Sequence, residues 1–176
     1  MSADIEFRRA ETGDIPALKD LIFQHGVSEW NHLPPDEVNE HLDQIATGVT
    51  GAVVACIGGM IVGMVTHNVG SFYPQYELPE DRDRPHGYLA EAVVRQDQAG
   101  KGIGTELFRR AALELLSGAV ISVYSKRHEQ NDASRRMMEK SGFIAIDTFH
   151  DPDVRPSGTR NTTINRLRKS DLDTKK

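Results

Sequence analysis

The stretch QAGKGIGTELFRRAALELL, residues 98–116, sets Gly100, Gly102 and Gly104 around Lys101, directly ahead of an unbroken helical pattern. Glycine costs conformational entropy, so three of them at a helix mouth need a reason. The chemistry such a turn can do is phosphate binding. The first helical N–H groups have no internal partner, the macrodipole is positive there, and missing side chains let an anion reach the backbone. Two familiar phosphate loops do not fit. A Walker loop needs Ser or Thr after its lysine, whereas Gly102 follows Lys101; the dinucleotide pattern Gly-x-Gly-x-x-Gly fails at Leu107. On these residues alone, a tight strand-to-helix turn explains the glycines equally well.

The elements that must position this turn follow from periodicity. IEFRRA (5–10) alternates as a strand, and TGD caps a helix over 14–25, with Pro16 in its first turn and Leu18, Leu21 and Ile22 at helical spacing. A loop over 26–34 carries Trp30, and PDEVNEHLDQIAT (35–47) predicts a second helix through Val38, Leu42 and Ile45. GAVVACIGGMIVGMVTHNVG (51–70) reads as two apolar strands hinged at Gly58-Gly59. A long surface loop is expected over 71–87, then a strand at 88–94 and a helix from 102 to 116 on Ile103, Leu107, Ala111 and Leu115. Strands at 119–125, 143–149 and 159–167 and a helix in NDASRRMMEKSGF, stopped by Gly142, complete the order. This order is neither a βαβ repeat nor a sandwich; it predicts an α+β (mixed α/β) sheet with helices on its faces.

A chain of 176 residues supports one domain with a full core, expected over 1–167, followed by a polar, disordered tail over 168–176. The net charge of −5 excludes non-specific nucleic-acid binding, which relies on clustered Lys and Arg. Cys56 is the single cysteine, so no internal disulfide exists, and no Cys/His cluster has zinc spacing. The start is charged and lacks the apolar run of a signal peptide, and no apolar run is long enough to span a bilayer. A cytoplasmic protein with no metal and no membrane partner is the expectation.

Three stretches in register carry a family resemblance. VVRQDQAGKGIG (93–104) resembles motif A of the GNAT superfamily of acyl-CoA N-acyltransferases, with core Arg/Gln-x-x-Gly-x-Gly/Ala, Gly102 and Gly104 filling the two small positions. NDASRRMMEKSGF (131–143) is similar to the second signature, Asn-x-x-Ala-x-x-x-Tyr-Glu-Lys-x-Gly-Phe, at Asn131, Glu139, Lys140, Gly142 and Phe143. FRRAETGDIPAL (7–18) resembles the family's opening strand and helix. The resemblance covers roughly 5–150 in the family's element order. It implies a mostly antiparallel mixed sheet with helices on both faces, in which the strand at 88–94 bulges and splays from the strand at 119–125. Acetyl-CoA is the implied cofactor, its pantetheine lying in the V between them. Ala92, Val93 and Val94 then offer backbone groups to pantetheine and the thioester carbonyl. The turn Ala99, Gly100, Lys101, Gly102, Ile103, Gly104 and Thr105 holds the pyrophosphate, and Asn131 contacts the pantetheine arm.

Two positions depart from the pattern. The family's Arg/Gln is Ala99 here, which removes one side-chain contact to the pyrophosphate, with Lys101 or Gln98 as substitutes. The tyrosine that protonates the leaving thiolate in many members falls on Met138, whose thioether has no proton to give.

The resemblance implies an N-acetyltransferase acting by direct attack of a primary amine. A lysine-like amine, with pKa about 10.4, is neutral about once in 10³ molecules at pH 7, so a base must take its proton. Glu91, in the splayed strand where family members often carry a carboxylate, is the candidate base, and Tyr124 the replacement acid, with His128 a third option. Trp30, Tyr73 and Tyr76, in the two irregular stretches, are candidates for acceptor contact, and the carboxylates of ELPEDRD (77–83) for attracting a cation. The expected partner is a small-molecule amine such as an amino acid, polyamine or drug-like amine. A non-catalytic acyl-CoA sensor on the same fold, or a protein or peptide acetyltransferase, are the alternatives. A homodimer is common among proteins of this kind, and the sequence leaves oligomeric state open.

Overall fold

A computed structural model describes residues 3–174. The strands are β1 (Ile5–Arg9), β2 (Gly51–Ile57), β3 (Met60–Gly70), β4 (His86–Val94), β5 (Ser122–His128), β6 (Ile144–His150) and β7 (Asn161–Arg168). The helices are α1 (Ile15–His25), α2 (Pro35–Asp43), α3 (Ile103–Leu116), α4 (Asp132–Lys140) and α5 (Lys169–Asp173). All seven strands join one sheet in the order β1-β2-β3-β4-β5-β7-β6, antiparallel throughout except for the parallel β4–β5 pair. Among the described residues no helix is long and apolar enough to cross a membrane, and no group of three or more His, Cys, Asp or Glu could hold a metal ion.

Both faces of the sheet are covered, which is why GAVVACI is apolar without a break. Successive side chains of a strand point to opposite faces. Val53 and Ala55 therefore join the cluster under α3, with Leu107, Phe108, Ala111 and Leu115, while Val54 and Cys56 join the cluster under α1 and α2, with Leu18, Ile22, Val38 and Leu42. The N-terminal half of α3 is seated on β3 at Gly63, where an added Cβ would lie 2.9 Å from Leu107 Cδ1. That close approach fixes the height of the glycine turn above the sheet.

The β2–β3 hairpin turns at Gly58 and Gly59, both with positive φ, as the sequence predicts. Most boundaries shift by one or two residues, and three differences from expectation are larger. The strand expected at 119–125 runs from Ser122 to His128, because Lys126, Arg127 and His128 pair with Ile164, Thr163 and Thr162 of β7; a polar run signals no strand locally. The 35–47 segment is helical only to Asp43 and finishes in a 3-10 turn, Gln44–Thr47, closed by left-handed Gly48. The polar end is corrected too. Instead of a disordered tail, Lys169–Asp173 is α5, its start held by the Asp171 carboxylate accepting from Arg168 N–H at 2.9 Å, and Leu172 packs against the α3 core. The last two residues of that expected tail, and the first two of the charged start, lie outside the described residues.

One irregularity matters for function. Val65 pairs with Ala92 and His67 with Leu89, so Thr66 alone faces both Ala90 and Glu91. This is a β-bulge in β4. In an unbroken strand Leu89, Glu91 and Val93 would share a face. Instead Leu89 lies under α3 and Val93 under α1 and α2.

Candidate active site

Strands β4 and β5 pair only at Gly87–Val123 and Tyr88–Tyr124. One side-chain bond, Ser125 Oγ to the Leu89 carbonyl at 2.9 Å, holds the next position, and from the bulge onward the strands separate. The opening is a cleft of about 500 Å³, walled by Ala90–Val93 on one side and by Ser125–Arg127 with Met137 and Met138 on the other. The start of α2 and residues 31–34 form its rim. A smaller cavity of about 150 Å³ continues it past Ala92, Val93, Val94, Gly104 and Met137 toward the glycine turn.

Gly100 and Gly102 both adopt left-handed φ, 77° and 78°, and a Cβ at either would meet nothing within 4 Å. The glycines are thus not forced by crowding. Their left-handed backbone calls for glycine, as in any tight turn, and it leaves the backbone bare in front of open space. The first bond of α3 runs from Glu106 N–H to the Gly102 carbonyl at 3.1 Å, so the amides of Ile103, Gly104 and Thr105 precede the helical ladder and have no acceptor within it. The Lys101 ammonium donates to the Gln98 side-chain carbonyl at 2.8 Å, joining the two residues expected to substitute for the missing side chain at Ala99. Asn131 lines the cleft, and its side-chain oxygen caps α4 by accepting from Ser134 N–H at 3.1 Å, which leaves its amide nitrogen for other partners.

Glu91 lines the cleft, on the side of β4 to which the bulge turns it. Its backbone N–H donates to Thr66 Oγ1 at 3.0 Å, and that hydroxyl also lies 2.8 Å from His41 Nε2. Burial in the cleft pushes the Glu91 carboxyl up to about 7, against the opposing pull of Lys126 and Arg155. Burial also holds His41 below its ordinary value. A half-buried carboxylate titrating near neutrality is poised to accept a proton.

The structure corrects the expectation for Tyr124. Its ring is fully buried, and its hydroxyl donates to the Glu77 carboxylate rather than reaching the cleft. Burial, then the bond to Glu77, raises its pKa well above the ordinary phenol value. Glu77 in turn lies 3.6 Å from Arg168, so the trio ties the 71–85 loop to the sheet. Replacing Tyr124 by Phe should therefore leave turnover within about twofold while costing about 1–3 kcal/mol of stability, read from parallel kinetics and denaturant unfolding. A kinetic loss without a stability loss would return Tyr124 to the reaction. His128 is also structural: Nδ1 accepts from Gln130 N–H at 3.0 Å and Nε2 donates to the Ser157 carbonyl at 2.9 Å.

None of the three aromatics expected at the acceptor lines the cleft. Trp30 packs on His128, with ring centroids 4.6 Å apart, while its neighbours 31–34 form the rim. Tyr73 packs between Tyr88 and Tyr124, and the Tyr76 hydroxyl donates to Asp147. The acidic loop is likewise turned away, since Glu77 is sealed beneath Tyr124 and none of residues 77–83 lines the cleft. Among the side chains that do line it, and that the sequence did not single out, are Tyr88, Lys126 and Arg155, together with His41. None carries a local signal: Lys126 sits in a polar run, and Arg155 in the turn-rich stretch DPDVRPSG.

The model of the acetyltransferase (GNAT) family matches residues 15–143. No curated protein sequence matches the chain. Solved structures share the fold at low identity. An N-acetyltransferase from Staphylococcus aureus Mu50 is 18% identical, with a TM-score of 0.72 over 95% of this chain and 99% of that one. Arabidopsis thaliana NAA60 in complex with acetyl-CoA is 14% identical, with a TM-score of 0.74 over 94% and 98%. Arabidopsis thaliana Naa50 in complex with the bisubstrate analogue CoA-Ac-MVNAL is 16% identical, with a TM-score of 0.68 over 93% and 97%.

Proposed function

Because the chain belongs to the acetyltransferase (GNAT) family, we propose that it moves an acetyl group from acetyl-CoA to the amine of a small molecule by direct attack, with Glu91 as base. The observation that carries this reading is the cleft-facing Glu91 carboxyl, held near 7 beside the open edge of β4. The acyl donor's place is supported by the bare left-handed turn at Gly100 and Gly102, with open space before it, and by the continuous path past Ala92–Val94. The amides of 100–105 would hold the pyrophosphate, the β4 edge the pantetheine, and Asn131 its arm.

Acetyl-CoA supplies the acetyl group as a thioester, whose thiol, with pKa near 8.5, is a tolerable leaving group without a side-chain acid. That relieves the chain of an acid at Met138 and agrees with Tyr124 being engaged elsewhere. The remaining barrier is the amine's own proton, worth roughly 4–5 kcal/mol at pH 7. Glu91 removes it, directly or through one water. The N–H groups on the free edge of Ala92–Val94 are donors of the type worth about 3 kcal/mol each to a developing oxyanion.

Thiol release from acetyl-CoA across a panel of amines tests the reading. Turnover with small amines is the expected result. Tight acetyl-CoA binding without release would establish the sensor alternative, for which Ala99 and Met138 speak, and release only with peptides would establish the peptide acetyltransferase.

A further inference from the structure

Resting on that reading, we propose that Arg155 is an anion anchor in the cleft, so that the acceptor is a small amine that also bears a carboxylate. Arg155 stands between β6 and β7, in a loop that folds back over the separated strands. It is 5% exposed, yet it lines the cleft. Its Nε donates to Thr162 Oγ1 at 2.9 Å and its Nη1 to the Trp30 carbonyl at 3.1 Å. Both acceptors are neutral. Among the described residues no carboxylate comes within ion-pair distance of this guanidinium, and Nη2 has no protein acceptor. A buried cation normally sits against an anion, because removing it from water costs several kcal/mol that only a paired charge offsets. Here the chain holds the cation in place with neutral oxygens and leaves the third nitrogen for something else.

The surroundings favour an anion. Lys126, across the cleft on β5, is a second cation, pulled down by its partial burial and by the nearby Arg155. Against these two stands Glu91, whose carboxyl both cations draw downward. Asp151 acts on Arg155 from the same loop, but its carboxylate accepts from the Thr162 hydroxyl at 2.7 Å. Glu37 is exposed at the rim. Arg127, also in the cleft wall, is a third cation, its Nη1 donating to the carbonyls of His128 and Glu129. The interior therefore carries two more positive than negative groups when Glu91 is ionised, and three when Glu91 has taken a proton. A polyamine would meet like charge. A molecule with an ammonium toward Glu91 and a carboxylate toward Arg155 meets opposite charge at both ends. Guanidinium recognises carboxylate through a planar fork, which also fixes the orientation of the amine.

The simpler alternative is that Arg155 only straps its loop to Trp30 and β7. Paired substrates separate the two. Free amino acids, each with its α-amide and its decarboxylated amine, and a pentapeptide of unblocked N-terminus are offered to wild type, Arg155→Gln and Arg155→Lys, with thiol release as the readout. The expected result is that wild type prefers the amino acid over its amide by about a hundredfold in kcat/KM. Arg155→Gln should collapse that preference, mainly through KM, and Arg155→Lys should recover part of it. Equal wild-type use of the amino acid and its amide, preference for the peptide, or parallel loss on all substrates in Arg155→Gln would overturn the anchor while leaving acetyl transfer standing. No release from any amine would instead remove the proposed activity itself. Should Arg155→Gln fail to unfold cooperatively, the wild-type preference and the Lys variant still decide.

Discussion

Glu91→Gln is expected to lower acetyl transfer at pH 7 by about 10²–10⁴-fold, the usual contribution of a positioned base. The variant should then recover as pH rises. Without a base, the reaction depends on amine that is already neutral, and that fraction grows about tenfold per pH unit below the amine's pKa. Wild type should instead rise only until Glu91 is ionised, near its pKa of about 7, and then flatten. The ratio of the two kcat/KM profiles should narrow steadily from pH 7 to pH 9. A constant ratio would remove Glu91 as base.

The same substitution has a stability signature of opposite sense. The folded carboxyl titrates at about 7, against 4.5 for the ordinary group, so between these values the folded protein keeps a proton that the unfolded chain has released. Fewer protons bound on unfolding means that stability falls as pH climbs through this window, with the full penalty above pH 7. The limit is about 3 kcal/mol, less whatever cleft water screens. Glu91→Gln should therefore gain stability relative to wild type at pH 8 but not at pH 4, as read from denaturant midpoints. A residue doing useful chemistry would be destabilising the fold in order to do it.

Gly102→Asp is expected to weaken acetyl-CoA binding by more than about a hundredfold, with the fold retained. The left-handed backbone at φ 78° costs an Asp about 1–2 kcal/mol, and its Cβ meets no protein atom, so the chain itself tolerates the side chain. The space it enters is the space in front of the turn, and its charge faces the amides proposed to hold the diphosphate. Gly102→Asn separates shape from charge: it should cost the same backbone strain but much less affinity. Titration calorimetry of folded protein reads both. Unchanged affinity in Gly102→Asp would put the phosphates elsewhere.

The parts legible in sequence share one property, that their causes are local. The α3 pattern on Ile103, Leu107, Ala111 and Leu115 announces itself within one helix, and the Gly58-Gly59 turn within two residues. The glycine turn is legible as a candidate phosphate site because both its need for bare backbone and its helix N-terminus are written in a few adjacent residues. The boundaries of β5 failed for the opposite reason. Lys126, Arg127 and His128 become a strand only because β7 pairs with them. Leu172 likewise turns a polar tail into a packed helix only when the α3 core is there to receive it.

The sequence by itself therefore determined the covered sheet, its helices, the glycine turn and the presence of a carboxylate, Glu91, in the strand that opens the cleft. It did not determine what Glu91 faces. Strict alternation would place Glu91 with Leu89, and only the extra residue set opposite Thr66 moves it to the other side, into the cleft that burial then makes titrate near neutrality. Tertiary structure also withdrew Tyr124, by giving its hydroxyl to Glu77, and brought in Arg155 from a loop with no motif of its own. Strand direction and helical faces follow from a residue's near neighbours, whereas bulge register, burial and charge pairing depend on groups distant in the chain, whose positions exist only once it has folded.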